Sequence, residues 1–420
     1  MKPVSRLAIA AVLALGVVAS PVMAQKKPAA AHAKGPAFSK EFRVAAQPLQ
    51  KAVTAKDFVA AKAALPAAQA VATTPDDKYY AGLFQYQIAA NGKDTPGSMA
   101  GVMAMLASGV APVEQQGSLN FLLGREAYFA KDYPKALTYL NESIRLGSKP
   151  PELLIMAADI SFKQKQYLPG LAYAEQGIAA QKAAGQAVPE DWYARALSAA
   201  YNAKNGPEMV KFGGMLVKAY PTPENWRSTL VLYRDSKQMD PQITLDLYRL
   251  MRATKSIAGE RDYFDYAAIA SERGLPGETK AVVDLAVTSD AKLATSKNLA
   301  ELRSAASPKI AADMASLPAS ERAAAASPAA RPSMSTADAY LSYAQYAKAI
   351  PLYRQALGKT GVDTDAANTR LGIALAMSGD KAAARTALQT VKGPRAEIAG
   401  LWMLYLDASA SASATAPAVG

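Results

Sequence analysis

Few residues of this 420-residue chain have the types and spacing that chemistry needs. The single histidine, His32, lies in a Lys-, Pro- and Ala-rich stretch, so the folded part has no positioned imidazole for acid–base work or metal binding. Cysteine is absent, which removes thiol nucleophiles, disulfides and the usual His/Cys zinc sites. Gly358-Lys359-Thr360 has the last letters of a phosphate loop, but Tyr353 stands where the first glycine must be. Neither GxGxxG nor GxSxG is found, and no cofactor or metal is expected. Carboxylates remain. Glu190 and Asp191, just before Trp192, read as first-turn acids favoured by a helix dipole. Glu142-Ser143 is the pair that glycan cleavage could use, though a solvated helix face is the simpler reading.

The elements that would position such residues repeat along the chain. In LGREAYFAKDYPKA, Leu123 to Ala136, a Leu-Gly pair precedes the aromatics Tyr128 and Phe129. A polar turn, Asp132-Tyr133-Pro134, follows, and Ala136 opens a second apolar run through Leu137, Leu140 and Ile144. Two helices folded back on each other satisfy that pattern. Ala136 and Gly170 are 34 residues apart, as are Trp192 and Trp226, and the stretch from Ala183 to Asp191 absorbs a four-residue slip between the pairs. Near the C-terminus Tyr340, Tyr346, Ala349, Tyr353 and Ala356 make one hairpin. Leu371, Gly372, Gly379, Asp380 and Ala384 make another, with Ala349 and Ala384 35 apart. Asp132 is placed to cap the second helix, Pro134 sits in its first turn, and Gly147 can end it in the left-handed conformation. Asp57, Phe58 and Ala61 repeat this turn 75 residues upstream, too far for two unmodified units. The helices between, Tyr79 to Ala90 and Gly97 to Ser108, are expected as a looser pair around the turn NGKDTPG.

These motifs resemble the tetratricopeptide repeat, TPR, over about two-thirds of the chain. The resemblance implies an all-α fold, a right-handed α-α superhelix of stacked TPR-like hairpins, because a lone hairpin cannot bury both its apolar stripes. Small residues at the crossings, Gly124, Ala136, Ala158 and Gly170, would let helix axes approach to about 8–10 Å. The resemblance also implies a concave face lined by the first helix of each unit. Projected onto this sequence, that face holds Phe121, Arg125, Tyr128 and Phe129, then Ile155, Asp159, Phe162 and Lys163. Tyr193, Leu197 and Tyr201 follow, and then Arg227, Arg234 and Asp235. Aromatics interleaved with Arg and Lys suit an extended peptide or an acidic protein segment, although each ring could instead fill the core between repeats. The Lys/Asn clamp for a C-terminal carboxylate is not matched, since Phe121 and Arg125 occupy its places. Cell-wall transglycosylases, which also wrap a helical superstructure and use Glu followed by Ser, resemble this chain only at Glu142-Ser143.

The ends read differently. Lys2 and Arg6, the apolar run Leu7 to Ala19 and the close Val22-Met23-Ala24 form a secretory signal peptide with cleavage after Ala24. Thirteen apolar residues fall short of the roughly 20 that cross a bilayer. A periplasmic protein of a bacterial envelope is expected, with no transmembrane segment after cleavage. The formal charge is +12, from 47 basic and 35 acidic residues, spread along the chain without the long basic run that nucleic acid needs. Residues 25–40 are a flexible lead-in whose Lys26, Lys27, Lys34 and Lys40 are available to an anionic envelope surface. The expected organisation is a helical array over 41–300, an Ala/Ser/Pro-rich linker or degenerate repeat over 301–333, a TPR pair with a capping helix over 334–407, and a disordered tail over 408–420. The function expected is a non-enzymatic scaffold holding a protein or peptide partner in its concave groove, and the resemblance suggests service in envelope assembly or polysaccharide export. The alternative is a glycan-acting enzyme with Glu142 as its acid.

Overall fold

Every described element is a helix because apolar residues return at three- and four-residue spacing between turn signals. The computed structural model describes residues 35–414, and side chains as far as residue 408. The stretch expected to be a signal peptide and most of the expected lead-in fall outside the described residues. Among the described residues there is no strand, only an isolated bridge between Ala329 and Thr360. The chain divides into two units, one up to Ala111 and one from Pro112.

The first unit holds α1 (Lys40–Thr54), α2 (Phe58–Ala70), α3 (Pro75–Asn91) and α4 (Thr95–Ala107). The last residues of the lead-in are tied down: Phe38 packs edge-on against Tyr80, and the Ser39 amide donates to Asp77. The pair α3/α4, expected to be loose, is the tighter kind. A Cβ on Gly101 would sit 2.6 Å from the Tyr86 backbone nitrogen, and one on Gly82 would sit 2.8 Å from the Gly101 carbonyl. Two glycines facing each other bring the backbones themselves into contact.

The second unit opens with α5 (Val113–Phe129), α6 (Tyr133–Arg145), α7 (Pro151–Lys163), α8 (Tyr167–Ala183), α9 (Glu190–Asn202) and α10 (Gly206–Ala219). It continues with α11 (Pro223–Asp235), α12 (Pro241–Ala253), α13 (Gly259–Glu272) and α14 (Pro276–Ser289). Then come α15 (Lys297–Ala306), α16 (Ile310–Ala326), α17 (Ala330–Ser342) and α18 (Tyr346–Leu357). The last are α19 (Thr364–Ser378), α20 (Lys381–Gln389) and α21 (Ala396–Ala414). Residues 301–333 are thus helical, with α16 packed on α17, and the tail begins as the helical end of α21 rather than as disordered chain.

Hairpins in both units share one turn of three residues whose middle residue is left-handed. Lys56, Lys93, Lys131, Lys165 and Lys204 take that place, and Gly274 and Ala344 do so later. A lysine there costs about 1–2 kcal/mol relative to right-handed backbone. The turn offsets it by closing helix-end hydrogen bonds, as when the Asp132 amide donates to the Ala127 carbonyl at 2.9 Å. Asp132 then caps α6 by accepting from the Lys135 amide, and Gly147, at φ +85°, ends that helix as the sequence implied. At the α5/α6 crossing a Cβ on Gly124 would meet the Leu140 side chain at 2.7 Å. Gly124→Leu is expected to lose about 1–3 kcal/mol by overpacking, read from the urea midpoint; unchanged stability would show the hairpin register to be wrong.

The C-terminal helix does more than cap the last hairpin. It returns to pack on α10 and α12 as well as on α19 and α20. Leu404 lies over Gly214, the Trp402 indole donates to the Asp246 carbonyl at 3.1 Å, and the Tyr233 hydroxyl donates to Glu397 at 2.8 Å. Beneath it is a buried ion network. Asp246, fully buried, pairs with Arg249 at 2.9 Å and with Arg395 at 2.7 Å, and Arg370 approaches to 3.8 Å. Arg249 also pairs with Glu278, and Arg370 with Asp338, both at 2.7 Å. Three guanidinium groups and three carboxylates balance one another, which is what makes their burial tolerable.

Candidate partner-binding face

Successive first helices α5, α7 and α9 present a polar ladder made of residues about one repeat apart. The Tyr128 hydroxyl donates to Asp159 Oδ2 at 2.7 Å, across 31 residues. Lys163, one turn further along α7, pairs with the same carboxylate. Arg195 of α9 reaches Asp159 Oδ1 at 3.3 Å and Asp191 at 2.6 Å. Burial alone would raise the Asp159 carboxyl; the hydrogen bonds from Lys163 and Tyr128 and the charge of Arg195 outweigh it and hold it below the ordinary carboxylate range. The Tyr128 hydroxyl is pushed up to about 12, first by burial and then by its bond to Asp159. It therefore stays a donor at any physiological pH.

Beside the ladder is an exposed ring. Phe129, at the end of α5, is 64% exposed and packs edge-on against Tyr128, with centroids 5.5 Å apart. Tyr133 lies 6.1 Å from Tyr128, and the Lys163 ammonium sits 5.8 Å above the Tyr133 ring. Among the described residues Arg125 pairs only with the adjacent Glu126, at 3.0 Å. Lys131 and Lys165, exposed in the turns that follow α5 and α7, add two further cations. Within the ladder the charges balance, Lys163 and Arg195 against Asp159 and Asp191, with Arg125 against Glu126, so the turn lysines Lys131 and Lys165 are the cations at its edge without an ion-pair partner among the described residues.

A second hub lies on α11 and α13. Arg227 and Arg234 both pair with Asp262, Arg234 at 2.8 Å, and the Ala258 amide also donates to it. Burial would raise the Asp262 carboxyl, but the two guanidinium groups and the amide bring it below its ordinary value. Its contribution to stability is present above the unfolded carboxylate pKa of about 3.9 and is lost as pH falls through the lower folded value. Asp262→Asn is expected to lower the urea midpoint at pH 7 while the gap to wild type narrows below pH 3; an equal gap at both would remove Asp262 from the acid response.

The residues expected on one surface divide into kinds. Tyr128, Phe129, Asp159, Lys163 and Arg125 come together around the ladder. Phe121 and Tyr201 are half-buried against the apolar clusters of their own hairpins. Phe162 fills the α7/α8 crossing, where a Cβ on Gly170 would meet its ring at 2.5 Å. Tyr193 and Leu197 are corrections: each, at 1% exposure, is core, and Tyr193 packs edge-on to Tyr220. The left-handed turn residues Lys165 and Lys204 are 39 apart, so the register slip between α7 and α9 is five residues rather than four, and Tyr193 and Leu197 take the places of the buried Leu154 and Ala158. Arg227 and Arg234 serve the Asp262 hub and not the ladder. Arg195 and Asp262 were missed, although opposite charges one period apart (Asp159 and Arg195, Arg227 and Asp262) were a usable signal.

Glu142 has none of the properties of a general acid. It is exposed and doubly hydrogen-bonded to Arg145, at 2.6 and 2.7 Å, and that guanidinium holds it below the ordinary glutamate range. An acid catalyst needs the opposite shift. Ser143 points away, buried, and donates to the Gly117 carbonyl at 2.6 Å.

The fold defines the class of protein: an all-α array of stacked, TPR-like helical hairpins. No family model matches the chain, and no curated protein matches it. Solved structures similar to it include the TPR2AB-domain:pHSP90 complex of yeast Sti1, at 14% identity over 70% of this chain and 99% of that one, with a TM-score of 0.24. Naa15/Naa10 bound to HypK-THB is 11% identical over 80% of this chain and 55% of that one, with a TM-score of 0.33. The APC/C hetero-tetramer Cut9-Hcn1 is 10% identical over 84% and 86%, with a TM-score of 0.20. The class rests on the hairpins of this chain and their shared turn, which returns every 34 to 39 residues from Lys56 to Lys204, rather than on these superpositions.

Proposed function

We propose that the protein is a non-enzymatic scaffold, exported to the periplasm, that holds an acidic, aromatic-bearing segment of a protein partner against α5, α7 and α9. One observation carries this reading: Phe129 stands exposed beside a pre-ordered polar ladder edged by the exposed turn lysines Lys131 and Lys165. A ring held at the rim of fixed charges adds contact area at little entropic expense, and the free edges of Arg125 and Lys163 supply directed donors. Service in envelope assembly or polysaccharide export, and contact of the N-terminal lysines with an anionic envelope surface, belong to the same proposal.

The test is a photoreactive residue at Phe129 or Lys163 in living cells, with Thr138, exposed on α6, as the control. One protein captured at both positions and not at Thr138 is expected, and Phe129→Ala and Lys163→Glu should each weaken its direct binding to the purified chain. Equal capture at Thr138, or binding indifferent to both substitutions, would reject this face. N-terminal sequencing of the mature protein from the envelope fraction, expected to begin at Gln25, tests the export step separately.

A further inference from the structure

Where α12, α13, α14, α17, α19 and α21 meet, the return of the C-terminal helix leaves a cavity of about 330 Å³. Its polar floor is saturated. Arg249 is held by Glu278 and Asp246, and the Tyr266 hydroxyl donates to Glu278 at 2.6 Å. Tyr343 at the wall donates to Asp313, and Ser342 to the Ala339 carbonyl. Two groups are left over: among the described residues, neither the Arg252 guanidinium nor the Tyr346 hydroxyl has a hydrogen-bond or ion-pair partner. Arg252 and Met377, both exposed, stand at the mouth, and Leu341, Ile373 and Trp402 supply apolar walls.

Charge and size then define what fits. The buried network below the cavity is neutral, so Arg252 is the excess charge of its lining and favours a ligand of charge −1. The volume lies at the small end of ligand pockets, room for a body about the size of one large side chain rather than an extended peptide. We propose that this cavity binds a small organic monoanion, a carboxylate on an aliphatic or aromatic body, with the acid on Arg252 and Tyr346 and the body against Ile373, Leu341 and Trp402. This site is separate from the partner face on α5, α7 and α9 and does not depend on it.

The experiment is calorimetric titration of the full chain with phenylbutyrate, its neutral amide and phenylbutylamine. Phenylbutyrate is expected to bind saturably at one site per chain, the amide about tenfold more weakly, and the amine not at all, since a charge-assisted pair is worth roughly twice a neutral hydrogen bond. Arg252→Gln should reduce phenylbutyrate affinity about tenfold without moving the ligand-free thermal midpoint, because Arg252 has no partner to lose, and Arg252→Lys should recover part of it. Ala281→Phe, which fills the cavity, should abolish binding. Equal affinity for acid and amide, acid binding indifferent to Arg252→Gln, or no binding of phenylbutyrate up to its solubility would each overturn the assignment. Capture at Phe129 is expected to be unchanged in Arg252→Gln, so failure here is distinguishable from failure of the partner face.

Discussion

Asp246→Ala is expected to destabilise the second unit by about 3–5 kcal/mol, because it leaves buried guanidinium groups without their shared counter-charge. The three arginines around it are not affected equally. Arg249 keeps Glu278, and Arg370 keeps Asp338. Arg395 keeps only Gln242, at 3.5 Å. The loss should therefore concentrate where Arg395 leads into α21, and hydrogen exchange should quicken there before it does in α5–α9. Urea unfolding gives the size and exchange gives the place. A loss below about 1 kcal/mol, with α21 still protected, would mean that the network is no more than surface ion pairing.

The second large effect is expected at Gly101→Ala, a change of one methyl group. The new carbon would meet backbone on two sides, the Tyr86 nitrogen at 2.6 Å and the Gly82 carbonyl at 2.7 Å. Backbone cannot rotate out of the way as a side chain can, so α3 and α4 must separate. That places the loss at the upper end of the about 1–3 kcal/mol typical of overpacking. Gly124→Ala meets chiefly the Leu140 side chain and should be milder. Thermal midpoints of the two variants test the order, and a smaller shift for Gly101→Ala would refute it.

Local geometry was legible in the sequence, and long-range closure was not. The turn at Asp132, the stop at Gly147 and the C-terminal hairpins could be read because each is decided within about ten residues of chain. The tightness of α3/α4 was misread from spacing alone, although Gly82 and Gly101 stood in the sequence as candidates for close approach. Period located Asp159 correctly on its helix, but the slip before α9 is one residue longer than the sequence suggested, which turns Tyr193 onto the core position of Leu154 instead of the surface assigned to it. The return of α21 onto α10 and α12 has no periodic signature at all. Nothing in residues 395–407 states that Asp246 and Gly214 are their neighbours.

That return also sets an order of events. Most hairpin contacts join residues a few tens apart, but Tyr233 waits for Glu397, 164 residues later, and Asp246 waits for Trp402, 156 later. As the chain is made, α5 to α9 can settle as soon as they exist, while α10 and α12 hold an unfinished apolar face until the last helix arrives. During that interval the half-built unit is a client for chaperones and a target for proteases. A chain cut short before Arg395 would never leave that state.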